Sequence, residues 1–349
     1  MQFITFLCAI IKAVDEYAPL LRISAASAGN DHRLGANEAP PAIISMFIGD
    51  ELQGVLDAIE NGTPVAENSD KIFEIGVDAL PNFPKDATDR NRTSPFAFTG
   101  NKFEFRMLGS ADSISCTNVM MNTIVAQVLS EFADELEKAD DFKSALKALI
   151  KKTIKEHKRV IFNGNGYSDE WLAEAERRGL PNLVSTVDAL PHYTDEKYIK
   201  MFEKFKVYTK AEIYSRQEIL LENYSKVINI EALTMLDMAK KLIAPAALEY
   251  TKFVSDAVNV KKSAGIDSSL EEKIAGKLSS LTSSIYSAID TLDEKRIASK
   301  EHEETAESLA RYYREEVFTS MQSLRAVADE LEMNVPTKYW PIPTYTDLL

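Results

Sequence analysis

The feature that most constrains the fold is a row of apolar residues toward the carboxyl end. Leu270, Ile274, Leu278, Leu281, Ile285, Ile289 and Leu292 recur at steps of 4, 4, 3, 4, 4 and 3. That spacing keeps to one face of an α-helix, whereas the faces of a β-strand alternate every second residue. Leu309, Tyr313, Val317, Met321, Leu324, Ala328 and Leu331 continue the theme. Together they predict long antiparallel helices whose apolar seams pack on each other or between subunits. Pro245 has no N–H to donate and is expected to kink or divide the helix read over 238–253. The proline- and aromatic-rich end, residues 335–349, is expected to be an extended tail that docks on its surroundings.

The 349 residues carry 40 basic and 54 acidic side chains, a net charge of −14. Such an acidic surface argues against nucleic acid or an anionic membrane as partner, and any anionic substrate must be drawn in by local Arg and Lys. No apolar run reaches the roughly 18 residues needed to span a bilayer. The apolar start, Phe3 to Ile11, has no preceding cation and is followed by Lys12, Asp15 and Glu16; it reads as a buried helix rather than a secretory segment. Cys8 and Cys116 show neither CxxC nor zinc spacing, which points to a reducing compartment, the cytoplasm.

Upstream of the long helices the pattern is mixed. A helix is expected over 2–17, a strand over 20–24, and a helix over the spacing Ile43 to Ile59, with Pro40 and Pro41 in its first turn. Residues 63–101 are turn-rich. From Lys102 to Leu108 the residues alternate: Phe103, Phe105 and Met107 face one way, Lys102, Glu104 and Arg106 the other, as in a strand that lines up three ionisable groups or as in an edge strand. Helices follow over about 115–138, 141–157, 168–178, 194–205 and 209–225. Ser168, followed by Asp169 and Glu170, suits a helix start. Asn163-Gly164-Asn165-Gly166 reads as a tight turn, since it lacks the residues that complete a phosphate-binding loop.

Two polar stretches stand out, Asn30 to Pro41 and Asn91 to Phe96, the latter followed by the 102–106 strand. Arginine binds carboxylate or phosphate through a planar fork and keeps its charge. Glutamate can take a proton or hold a hard divalent cation.

In wording, Asn30-Asp31-His32-Arg33-Leu34-Gly35-Ala36-Asn37-Glu38, Asn91-Arg92-Thr93-Ser94 and Lys102-Phe103-Glu104-Phe105-Arg106 resemble the catalytic motifs of glutamine synthetase, type III in particular. The resemblance implies an α+β fold, in which a partial antiparallel sheet of the catalytic domain (1–225) precedes a helical carboxyl-terminal domain (226–349). It implies glutamate, ammonium and ATP as substrates, Mg²⁺ or Mn²⁺ as cofactor, and a homo-oligomeric ring for the full-length protein. By the same resemblance Arg33 and Arg106 bind substrate, Glu38 accepts the proton of ammonium, Arg92 stabilises the transferring phosphate, Lys102 contacts nucleotide and Glu104 binds metal. Ala97 departs from the pattern, because type I enzymes have a second arginine there. Most metal-binding glutamates of the family lie in an earlier half, so the chain resembles the carboxyl-terminal half of an enzyme roughly twice as long. The other readings are a non-catalytic piece that acts only by association with partner subunits, and a helical scaffold with two unrelated polar loops.

Overall fold

The computed structural model describes residues 1–36, 39–64, 72–73, 83–84, 93–344 and 347, and divides them into two compact units, Met1–Gln217 and Glu218–Leu349. In the first unit, α1 (Gln2–Glu16) buries Leu7, Cys8, Ile11 and Val14. Tyr17 breaks the helix as expected, yet α2 (Ala18–Ile23) follows at once where the sequence suggested a strand. Pro19 sits in its first turn, where a missing N–H costs nothing. A single turn, α3 (Ala28–Asp31), begins at Ser27.

The expected helix over 43–59 is corrected in its first half. Residues 42–49 are all buried and none is helical, and they include β1 (Met46–Phe47). A segment covered on every side shows no amphipathic period, so spacing alone could not separate strand from helix. Gly49, at φ 80, turns the chain into α4 (Asp50–Asn61), whose first turn carries Asp50 and Glu51. The chain then forms β2 (Ile72–Phe73) and β3 (Phe83–Pro84), an antiparallel pair, and β4 (Phe96–Phe98) and β5 (Phe103–Phe105). The main sheet has the order β1-β4-β5, with β1 parallel and β5 antiparallel to β4. It is therefore mixed rather than wholly antiparallel, and the strand read over 102–108 shortens to three residues.

Five helices follow: α5 (Ile114–Leu136), α6 (Phe142–His157), α7 (Asp169–Arg177) and α9 (Glu196–Lys204) lie close to their expected places, whereas the single turn α8 (Thr186–Ala189), which precedes α9, was not expected. Ser113, Asp141, Ser168 and Ser185 each accept backbone N–H groups at the starts of the first four, satisfying donors that a helix leaves unpaired. α1 packs against α5 and α6, which makes it the centre of this unit. A buried ion pair fixes the next layer. Arg22 Nη2 stands 2.8 Å from Asp31 Oδ1, with the two side chains 1% and 4% exposed. Asp31 also accepts from the Thr186 amide (2.7 Å) and hydroxyl (2.9 Å), while Arg22 Nε donates to the Leu183 carbonyl (2.9 Å).

α10 (Lys210–Met238) runs on past residue 225, since nothing between 226 and 238 carries a stop signal. A π turn (Ala239–Ile243) separates it from α11 (Ala244–Ser263). Pro245 explains the turn: without an N–H it leaves the Lys241 carbonyl without its i+4 donor, so the ladder widens instead of closing. α12 (Ser269–Ala298) packs along both α11 and α14 (Phe318–Asn334), with α13 (Ala306–Tyr312) between α12 and α14 in sequence. Leu278, Leu281, Ile285, Ile289 and Leu292 form the seam, but Leu270 (62% exposed) and Ile274 (37%) lie outside it. Steps of 4, 4 and 3 make eleven residues in three turns, about 3.67 per turn, which suits nearly straight helices. In the second row, three successive steps of 4 leave one residue over, and a π turn at Tyr313–Val317 takes it up. The tail docks as expected: Tyr339 lies 5.2 Å from the Tyr250 ring and 5.9 Å from Phe253, and Trp340 is buried.

Candidate active site

The Asn30 loop is built onto the end of the β5 strand. Asn30 is buried, and its Nδ2 donates to the carbonyls of Ala25 (2.7 Å) and Met107 (2.9 Å). Its Oδ1 accepts from Arg33 Nε at 3.1 Å, while Arg33 Nη2 donates to Met107 (2.7 Å) and Leu108 (3.2 Å). Gly109 makes the approach feasible, because a Cβ there would stand 2.8 Å from Asp112 Oδ2 and 3.5 Å from Asn30 Oδ1. Beyond Arg33 the backbone folds back on itself. Leu34 bridges to Ala39, and Gly35, at φ 74, donates to the carbonyls of Ala39 and Pro40. Glu38 lies outside the described residues.

Arg33 thus spends its Nε and one Nη on the protein itself. Among the described residues, Nη1 is the edge left for a ligand. A two-pronged grip through Nε and Nη2 is already taken by backbone and Asn30, so Arg33 offers a substrate carboxylate a single nitrogen.

On β5 the alternation read from sequence places three ionisable groups together. Glu104 Oε1 lies 3.1 Å from Lys102 Nζ, and its Oε2 lies 3.0 Å from Arg106 Nη2 and 3.2 Å from Arg106 Nε. Hydrogen bonds from Lys102, then Arg106, hold the Glu104 carboxyl below the usual carboxylate range. Directly across the ladder stands Ala97, paired with Glu104 and fully buried. A small residue there leaves Glu104 with two cationic partners on its own strand. On the opposite face Phe103 stacks on Phe96 at 5.5 Å and meets Phe98 in a tilted contact at 5.1 Å, and Phe98 meets Phe3 of α1 at 5.7 Å.

The structure therefore brings Arg33 next to the strand of Lys102, Glu104 and Arg106. Arg92 lies outside the described residues, but its neighbour Thr93 is held by a segment that sequence reading had set aside, the Asn163–Gly166 turn. Thr93 Oγ1 is 3.5 Å from the Gly164 carbonyl, and the Gly166 Cα packs against the Thr93 carbonyl. The paired glycines were the available signal, since two glycines five and three residues before a capped helix permit a close backbone approach.

A divalent cation of the kind the resemblance implies takes about six oxygen ligands. Among the described residues no three His, Cys, Asp or Glu side chains gather to hold one, and both oxygens of Glu104 are engaged by cations. The described residues do not fit such an ion by themselves.

Comparison with known proteins adds the decisive observation. Residues 145–262, from α6 to the end of α11, match the glutamine synthetase C-terminal domain family. Over the whole chain, the glutamine synthetase of Butyrivibrio fibrisolvens is 45% identical, with 50% of that protein covered. The chain is related to the glutamine synthetases, type III among them. The type-3 glutamine synthetase of Dictyostelium discoideum is 40% identical, with 48% of it covered, and the glutamine synthetase of Bacteroides fragilis 34%, with 50% covered. The chain spans about half the length of these curated relatives. The motifs around Arg33 and Glu104 precede the domain match and lie within the full-length similarity to glutamine synthetase. No helix among the described residues is long and apolar enough to cross a membrane.

Proposed function

We propose that the chain is the carboxyl-terminal half of a type III glutamine synthetase, an enzyme that ligates ammonia to glutamate at the expense of ATP. The observation that carries this reading is the clamp of Arg33 on Met107 and Leu108, 74 and 75 positions away, which sets one glutamine synthetase motif against the strand of another. In the reaction, the γ-phosphoryl group of ATP passes to the side-chain carboxylate of glutamate, leaving ADP. Ammonia then displaces phosphate from the acyl phosphate.

Arg33 and Arg106 hold substrate carboxylate, Arg92 neutralises the transferring phosphate, and Lys102 contacts the nucleotide. Glu38 removes the proton that turns ammonium into the attacking amine. Mg²⁺ or Mn²⁺ is the cofactor, with its ligands supplied from outside the described residues. The complete enzyme is a cytoplasmic homo-oligomeric ring.

The donor set favours a second statement about this chain alone. With Glu104, the one candidate metal ligand among the described residues, already paired to Lys102 and Arg106, the isolated chain is read as acting only in association with the rest of the enzyme. Calorimetric titration with ATP and Mg²⁺ is expected to give no saturable binding by the isolated chain, and saturable binding once the upstream coding sequence is restored. Saturable binding of equal affinity by both would show that the nucleotide and metal site is contained in this chain.

A further inference from the structure

The Asn163–Gly166 turn touches three segments at once. Asn163 Oδ1 accepts the backbone N–H groups of Ile48 (3.1 Å) and Gly49 (3.0 Å), where β1 passes into α4. The two glycines of the turn face different neighbours. The three atoms nearest to a Cβ on Gly164 all belong to the ring of Phe162, the first at 2.6 Å, so a side chain and not a backbone segment has to shift. A Cβ on Gly166 would stand 2.1 Å from the carbonyl oxygen of Thr93 and 3.4 Å from Cβ of Pro40. A backbone carbonyl cannot yield without moving its segment. Gly166 is not among the glycines with positive φ, so the demand is for space and not for a left-handed backbone.

Thr93 directly follows Arg92, and Pro40 comes two residues after Glu38. We propose that Gly166 is a positioning residue: its bare Cα lets the 163–166 turn seat against Thr93 and Pro40, and so fixes the backbone at these two residues, which neighbour Arg92 and Glu38 in sequence. The seating itself stands on geometry alone; its consequence for turnover rests on the function proposed above. Relieving a 2.1 Å contact requires Thr93 to retreat by about 1 Å or more, a displacement that costs a positioned catalytic group on the order of 10²-fold in rate.

The test compares Gly166→Ala with Gly164→Ala, the same chemical change two residues apart. In the 349-residue chain, hydrogen exchange in peptides covering 39–48 and 93–98 is expected to quicken at least about tenfold in Gly166→Ala and to stay near wild type in Gly164→Ala. In the enzyme with upstream sequence restored, Gly166→Ala is expected to lower kcat by roughly 10²-fold while KM for ATP and glutamate changes little. Should Gly166→Ala fail to fold, Asn163→Ala loosens the turn without a clash and is expected to show the same exchange pattern. Equal exchange in the two glycine variants, or in Asn163→Ala and wild type, would overturn the proposal. If the restored wild-type enzyme makes no glutamine, the functional reading fails while the exchange result still decides the seating.

Discussion

Glu38→Gln, introduced into the enzyme with its upstream sequence restored, is expected to lower turnover by roughly 10² to 10⁴-fold, the range for loss of a positioned general base. Glutamine keeps the size of glutamate but loses its negative charge and, with it, the ability to take a proton. KM for ATP and glutamate should therefore stay near the wild-type values. Glu104→Gln makes the complementary case. The Glu104 carboxylate is the shared counter-charge of Lys102 and Arg106, so its loss removes the anion between them. The damage is expected in KM for ATP and glutamate, with a smaller change in kcat. Steady-state kinetics on the two variants, measured side by side, separates the roles; identical changes in kcat and KM would refute the assignment.

The largest expected effect on stability lies elsewhere, in the pair Arg22 and Asp31. Burial raises the Asp31 carboxyl above its ordinary range, against the opposing pull of Arg22 and Thr186. The pair is thus an uncertain source of net stability, while breaking it is costly, because the remaining charge is buried without a counter-ion. Asp31→Asn is expected to cost about 3–5 kcal/mol. The double substitution Arg22→Met with Asp31→Leu removes both charges and is expected to recover a large part of that loss. Urea unfolding of the chain and its two variants checks this. A loss below about 1 kcal/mol for Asp31→Asn, the range of an exposed pair, would show that the pair is not buried in solution.

How far the sequence was legible follows from how each element is covered. α5, α6, α7 and α9 have one buried face and, except α9, a side-chain cap, so period and cap residues marked them within a few positions. The same holds for α12, where Leu278 to Leu292 meet α11 and α14. Residues 42–49 failed because burial on every side erases the period that pattern reading relies on. α2 was misread because a segment as short as Leu20-Leu21-Arg22-Ile23-Ser24 is equally good as a strand, and only the seat of Arg22 among Leu183, Val184 and Asp31 identifies its face.

In the candidate site, the residue types and the alternation on β5 were visible, since Lys102, Glu104 and Arg106 are two apart. The clamp of Arg33 on Met107 was not, because it joins residues 74 positions apart through a backbone carbonyl that carries no sequence signal. Gly166 escaped for a similar reason: a glycine shows what it permits, and only the Thr93 carbonyl shows what that is for.

The measurement that bears most directly on the central claim is glutamine formation by the chain with its upstream coding sequence restored, supplied with glutamate, ammonium, ATP and Mg²⁺. The account predicts glutamine and phosphate released in equal amounts, with no product when any one of the three substrates is omitted. Phosphate release that does not depend on glutamate and ammonium, or no glutamine from a folded, ATP-binding protein, would contradict it.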